Sequence, residues 1–405
     1  MKMMKTLTFA RTCLLLALPA FTFACTIKTQ IADDDDGGSG ETSDPTVTTG
    51  EEPTSAPPIN GDESSSGGDE SQGNSGSCTP VKLMQNALSP NVVLLLDKSG
   101  SMVADPSGLW DHDDDPNTPS VTRWSSLHGV VETIVTDFDA KINFGAHLYP
   151  AIDAIAVYNE QACLIDGTMT VEVAAENKDE ILASIPEASD VTLRGGTPVS
   201  VAMTVALDHL KTLDPEVPRA ILLVTDGAAN CAVDSQSAEE LFEEYDEAIH
   251  TVVGDAFTVD GIPTYVVGVG IEDVVSGDEQ DGTPDSTNSF DRLNELAEDG
   301  GKPRDDPNEK FFNTTNQLEL AAALDQIAVD SLTCILPLDP VPVDPEETIV
   351  VLNGEVVPQV SDCQSETGWV YVHPEGPFDA IRMCGSACGG LKLTGSAEVT
   401  VCAVE

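Results

Sequence analysis

The chain has 405 residues, with 70 Asp and Glu against 18 Lys and Arg, a formal net charge of −52. So acidic a surface repels phosphate backbones and no basic patch offsets it, so the expectation is a protein that does not bind nucleic acid. The length allows two or three domains, although parts of the chain lack the composition to fold.

Residues 1–24 read as a signal peptide. Lys2, Lys5 and Arg11 precede an apolar stretch, 13–24, that is too short and wrongly flanked to span a bilayer. No later run is apolar enough for a transmembrane helix, so export is expected. The junction Ala24-Cys25 resembles a bacterial lipoprotein box, with Thr22 departing from the usual aliphatic residue. That resemblance implies a lipid on Cys25; the alternative is ordinary cleavage and a plain secreted protein. Thr26 is not an aspartate, which implies the outer membrane as the destination. Residues 25–77, after the anchor almost entirely Asp, Glu, Gly, Ser, Thr, Pro and Asn, read as a disordered acidic linker.

From Cys78 the composition changes. The continuous apolar run 91–96 (NVVLLL) marks a strand covered on both faces. Residues 123–138 carry Trp124, Leu127, Val131, Ile134, Val135 and Phe138 at helical spacing. Alternating segments follow at 141–148 and 168–174, then a helix at 198–213, a buried strand at 220–224 and an acidic helix at 238–250. A third apolar strand lies at 264–269. A helix at 290–298, a short strand at 310–313 and a closing helix at 317–329 complete the series. Strands that alternate with helices predict an α/β fold, a doubly wound and mostly parallel sheet. In such sheets ligands bind beyond the carboxyl ends of the strands, where strand order reverses.

After Cys334 short β-type runs appear at 348–352, 369–372, 380–383 and 398–401, with no evident helix. Residues 335–405 read as a small β module stapled by disulfides. Without Cys13 and Cys25, eight of the ten cysteines remain, an even set that suits disulfides in an exported chain. Cys163 and Cys231 are expected to pair across the ligand end of the sheet. Cys363, Cys384, Cys388 and Cys402 would pair within the tail, Cys363–Cys402 with Cys384–Cys388 being one of three connectivities.

Three loops carry the chemistry. Asp97-Lys98-Ser99-Gly100-Ser101-Met102 follows the first strand, Gly195-Gly196-Thr197-Pro198 opens a helix, and Asp226-Gly227 ends the strand 220–224. Alternating carboxylate and hydroxyl oxygens suit a hard divalent ion, although such residues also make ordinary turns and helix caps. DKSGSM, GGTPVS and LLVTDG together resemble the three signature loops of von Willebrand factor A domains, over roughly residues 88–331. The domain as a whole is taken as 78–334.

That resemblance implies a metal-ion-dependent adhesion site of Asp97, Ser99, Ser101, Thr197 and Asp226. Ser99 and Ser101 would ligate directly, Thr197 in the ligand-engaged state, and the two aspartates directly or through water. Mg²⁺ is the implied ion, with Ca²⁺ or Mn²⁺ as substitutes, and one position is left for an acidic side chain of a protein partner. The resemblance also implies a Cys78–Cys334 bond between the domain's ends. The whole layout is similar to bacterial lipoproteins with such a domain.

The acidic insertions bearing Asp111, Asp113 and Asp115, and Asp278, Asp281 and Asp285, raise a lesser expectation of Ca²⁺ sites. No hydrolase elbow, phosphate loop or His-Glu-x-x-His motif occurs, so no enzymatic activity is expected. The alternatives to adhesion are an envelope scaffold in which the metal only stabilises the fold, or a non-catalytic subunit of a secreted assembly.

Overall fold

The computed structural model describes residues 79–403 apart from 105–107, 157 and 279. The signal peptide, Cys25 and the acidic linker lie outside these residues, as does Cys78. The described residues fall within one compact unit.

A six-stranded sheet forms the centre. Its spatial order is Val171–Ala174, Asn143–Tyr149, Asn91–Asp97, Arg219–Thr225, Thr264–Val269 and Phe312–Thr314. Every neighbouring pair is parallel except Asn143–Tyr149 with Val171–Ala174. The result is a mixed α/β fold with a mostly parallel sheet. All seven residues of Asn91–Asp97 are buried, because successive side chains enter different cores. Val92, Leu94 and Leu96 pack with Trp124, Leu127 and Val131 of the helix Arg123–Phe138 and with Leu320 and Leu324 of Gln317–Ser331. Val93 and Leu95 pack with Val199, Met203 and Ala206 of Val199–Thr212 and with Val253 of Ala248–Thr258. Each such Leu contributes roughly 1.5–3 kcal/mol of burial.

The chain runs outward from Asn91–Asp97 on one side, returns, and continues on the other side from Arg219–Thr225. The carboxyl ends of these two strands therefore flank the point where strand order reverses, which opens a crevice for a ligand. Asp97 ends the first strand and Asp226 follows the second.

The acidic segment expected to form one helix at 238–250 is two helices, Ala238–Glu243 and Ala248–Thr258. Asp246 causes the break. It is buried, accepts from Ser200 Oγ, and receives the N–H of Ala248, the first residue of the second helix, at 3.1 Å.

The tail departs further from expectation. Thr79–Asn86 pairs antiparallel with Ser396–Ala403 over eight residues, in a sheet completed by Ile349–Leu352 and Glu355–Val357. A second sheet joins Ile335–Pro337, Ala380–Cys384 and Gly368–Tyr371 around Trp369, Ile381 and Leu391. A helix, Ser386–Thr394, stands where none was expected. Gly389 and Gly390 depress its propensity; Gly390 packs closely on Leu352, where a Cβ would lie 2.8 Å from Cδ2.

The expected Cys78–Cys334 bond is not formed, because Cys334 bonds to Cys388 of this helix. Cys384 bonds to Cys363, not to Cys388, and Cys402 is also disulfide-bonded. These links replace the Cys363–Cys402 and Cys384–Cys388 alternative. Among the described residues no helix is long and apolar enough to cross a membrane.

Candidate metal centre

The loop after Asn91–Asp97 turns at once into a short 3-10 helix, Gly100–Met102, so its side chains stay at the sheet's end. Ser99 Oγ and Ser101 Oγ are 2.9 Å apart, and Ser101 Oγ donates to Asp226 Oδ1 at 2.8 Å. This chain of oxygens joins two loops 125 residues apart. Asp97 lies beneath it, fully buried. Its Oδ1 accepts from Ser99 N and its Oδ2 from Thr225 Oγ1, both at 2.8 Å. Ser99, Ser101, Thr197 and Asp226 line one cleft of about 1230 Å³, whereas Asp97 supports its floor.

The Gly195-Gly196 pair brings Thr197 to the cleft. Gly195 O accepts from Gly100 N at 3.1 Å, which docks this loop on the serine loop. Gly195 has φ +109°, and a Cβ there would lie 2.7 Å from Ala162 O. Gly196 passes so close to the Cys163–Cys231 bond that a Cβ would lie 2.8 Å from Cys231 Sγ. Asn230 Oδ1 receives Thr197 N at 2.7 Å, and its Nδ2 donates to Gly282 O at 2.8 Å. One buried asparagine thus ties the threonine loop to the acidic loop at 282.

Burial is the main cause that raises the pKa of Asp97, and the neighbouring charge of Asp226 adds to it. Burial also raises Asp226, against the pull of Arg123 and Ser101. Arg123 Nη1 pairs with Asp226 Oδ2 at 3.0 Å. Among the described residues Asp226 has an ion-pair partner in Arg123 and Asp97 has none, although the Lys98 ammonium feels the charge of Asp97. The other converging groups are hydroxyls. An all-oxygen set with excess buried negative charge fits a hard divalent cation. Ser99, Ser101, Thr197 and Asp226 could hold it, with Asp97 below.

Lys98 does not join this set. It is buried, donates from Nζ to Ala151 O at 2.8 Å, and has its pKa lowered to about 8 by desolvation. It fastens the strand end to the 150s loop.

The acidic insertions divide. Asp281 lines the cleft. Asp111, Asp113, Asp115, Asp278 and Asp285 do not. Ligand atoms of Asp111, His112 and Asp113 lie within 4.8 Å of one another. Asp113 receives Thr118 Oγ1 at 2.7 Å, Asp115 receives Asn117 N at 2.9 Å, and Asp278 receives Ser286 Oγ at 2.8 Å. Asp285 donates its backbone N–H to Glu243 O at 2.7 Å.

Arg123, Thr225 and Asn230 escaped the motif reading. Thr225 stands inside LLVTDG, and Arg123 is the one Lys or Arg between Lys98 and Lys141, a signal that charge counting along the chain would have caught.

No family model and no curated protein matches this chain. Among solved structures it is similar to the pilus adhesin SpaC from Lactobacillus rhamnosus GG, at 14% identity and TM-score 0.43, over 82% of this chain and 42% of that one. The PilB minor pilin from Streptococcus sanguinis aligns at 15% identity and TM-score 0.38, over 61% and 62%. The manganese-loaded TRAP protein of Plasmodium vivax aligns at 14% and TM-score 0.35, over 62% and 78%. The chain thus spans about two fifths of SpaC.

Proposed function

We propose that residues 88–331 form a doubly wound von Willebrand A-type domain that binds a protein partner through Mg²⁺, on an exported envelope protein anchored by a lipid on Cys25. The observation that carries this reading is the convergence of three distant loops: Ser99 Oγ to Ser101 Oγ to Asp226 Oδ1 at 2.9 and 2.8 Å, with Thr197 in the same cleft.

A bound divalent ion would supply the charge that the buried aspartates lack and a position for a partner's carboxylate. The chain's own residues prepare that position. Ser99 N and Thr225 Oγ1 fix Asp97, Arg123 fixes one oxygen of Asp226, and Asn230 fixes the threonine loop. Hydroxyl ligands add no charge, so a cation held there would stay electrophilic toward an incoming carboxylate.

Calorimetric titration of Mg²⁺ into the full chain and into Asp226→Ala tests the site. Binding by the wild type and loss in the variant is the expected result; equal heats would overturn the assignment. Capture of envelope proteins with Mg²⁺ and with EDTA then separates adhesion from scaffolding. Capture that survives EDTA while the melting temperature falls would favour a purely structural ion.

A further inference from the structure

Arg123 begins the helix Arg123–Phe138, and its side chain reaches the cleft while only 17% exposed. Its Nη1 pairs with Asp226 Oδ2 at 3.0 Å. The other oxygen of Asp226 is left to Ser101. Gly270 makes the seat for the guanidinium. It has φ +67°, and a Cβ there would lie 3.1 Å from Arg123 Nη2 and 3.2 Å from Nε. Nη2 reaches Gly270 O only at 3.5 Å, and the buried Nε has no hydrogen-bond partner among the described residues. Among the described residues the one strong bond of the guanidinium is therefore to Asp226.

Charge arithmetic then assigns a role. Two aspartates and a divalent ion sum to zero. Arg123 adds one positive charge directly beside that centre, while Asp281 lines the same cleft. We propose that Arg123 is a positioning and specificity residue that weakens the hold on the cation and strengthens the attraction for a partner's carboxylate. This rests on the cation reading above. The guanidinium repels the ion and neutralises part of Asp226, so the loaded centre is more positive than it would be with a neutral side chain at 123. A neutral side chain at 123 would give a tighter ion and a poorer anion receptor. A residue that only braced the fold would move both affinities the same way.

The test uses Mn²⁺ as the probe ion and acetate as the probe carboxylate on the full chain. Free Mn²⁺ is counted by electron paramagnetic resonance. Acetate binding is read from broadening of its methyl proton line by the loaded protein. In Arg123→Gln, Mn²⁺ should bind about tenfold more tightly and acetate about tenfold more weakly. Arg123→Lys keeps the charge and should stay near the wild type in both. Arg123→Met supplies the same two readings if the glutamine variant does not fold. Weakened or unchanged Mn²⁺ binding in the neutral variants, or a parallel fall of both affinities, would overturn the proposal while leaving the cation site standing. A wild-type chain that binds no Mn²⁺ would sink both.

Discussion

Thr225 donates its hydroxyl to Asp97 Oδ2 at 2.8 Å, a bond between the ends of two adjacent parallel strands. It holds the carboxylate beneath the candidate metal centre in one orientation. Asp97 is fully buried, so its second oxygen has no water to turn to. Thr225→Val keeps the shape and removes the donor. The expected loss is about 1–3 kcal/mol of stability, since a buried acceptor is left without its bond. Mg²⁺ affinity should drop 10-fold or more, as for other groups that orient a ligand from behind. Urea unfolding and calorimetry measure the two effects. A variant with unchanged Mg²⁺ affinity would remove Thr225 from the site.

The Cys163–Cys231 bond closes a loop between residues 68 apart in sequence and lies against Gly196. Replacing both cysteines by serine should lower stability by roughly 2–4 kcal/mol. It should also loosen the Gly195–Thr197 loop. Hydrogen exchange at Gly196 and Thr197 is therefore expected to speed up more than exchange in the strand Asn91–Asp97. Uniform acceleration across both segments would mean that the bond stabilises the fold without bracing the loop.

His147 gives a pH dependence whose sign is fixed. It sits fully buried in Asn143–Tyr149, opposite Leu95. Among the described residues its Nε2 has no hydrogen-bond partner, and its Nδ1 is 3.4 Å from Thr170 Oγ1. Burial lowers its pKa from 6.5 to about 4, opposed weakly by Asp166. Above pH 6.5 the folded and unfolded chains both carry neutral imidazole, and the native state keeps its full stability. As pH falls from 6.5 toward 4, only the unfolded chain takes the proton, so stability is lost. The loss approaches roughly 3 kcal/mol at about 1.4 kcal/mol per pH unit. Subtracting the pH profile of His147→Gln from that of the wild type isolates this contribution from the carboxylates. A flat difference between pH 7 and 4.5 would refute it.

The centre of the parallel sheet was legible because Asn91–Asp97, Arg219–Thr225 and Thr264–Val269 carry apolar runs and the helix Arg123–Phe138 shows a clean apolar stripe. Two loops of the candidate site were legible for a related reason: 97–102 and 226–227 begin where such a run ends, whereas Gly195–Thr197 is located by the helix that follows it. What escaped depends on contacts between distant segments. Thr79–Asn86 has no fully buried residue to mark it, and its partner strand lies more than 300 residues away. Arg123 belongs to no motif, and only the fold brings it to Asp226. Two glycines masked the helix Ser386–Thr394, and with it the Cys334–Cys388 bond.

Two glycines beside the site should respond differently to the same substitution. Gly195 holds φ +109°, and an added Cβ would lie 2.6 Å from Pro150 Cγ and 2.7 Å from Ala162 O. Neither contact can relax cheaply: one atom belongs to a proline ring and the other to the backbone. Gly195→Ala combines that overlap with a left-handed backbone that alanine disfavours. It is expected to cost about 2–4 kcal/mol and to weaken Mg²⁺ binding, because Gly195 O also receives Gly100 N. Gly227 follows Asp226 directly, yet a Cβ there meets nothing within 4 Å. Gly227→Ala should change stability by less than about 0.5 kcal/mol and leave the cation site intact. Thermal melts and Mg²⁺ titrations of the two variants make the comparison. Equal losses at both positions would mean that the tight contact between the Gly195 loop and the loops beneath it does not set the geometry of the centre.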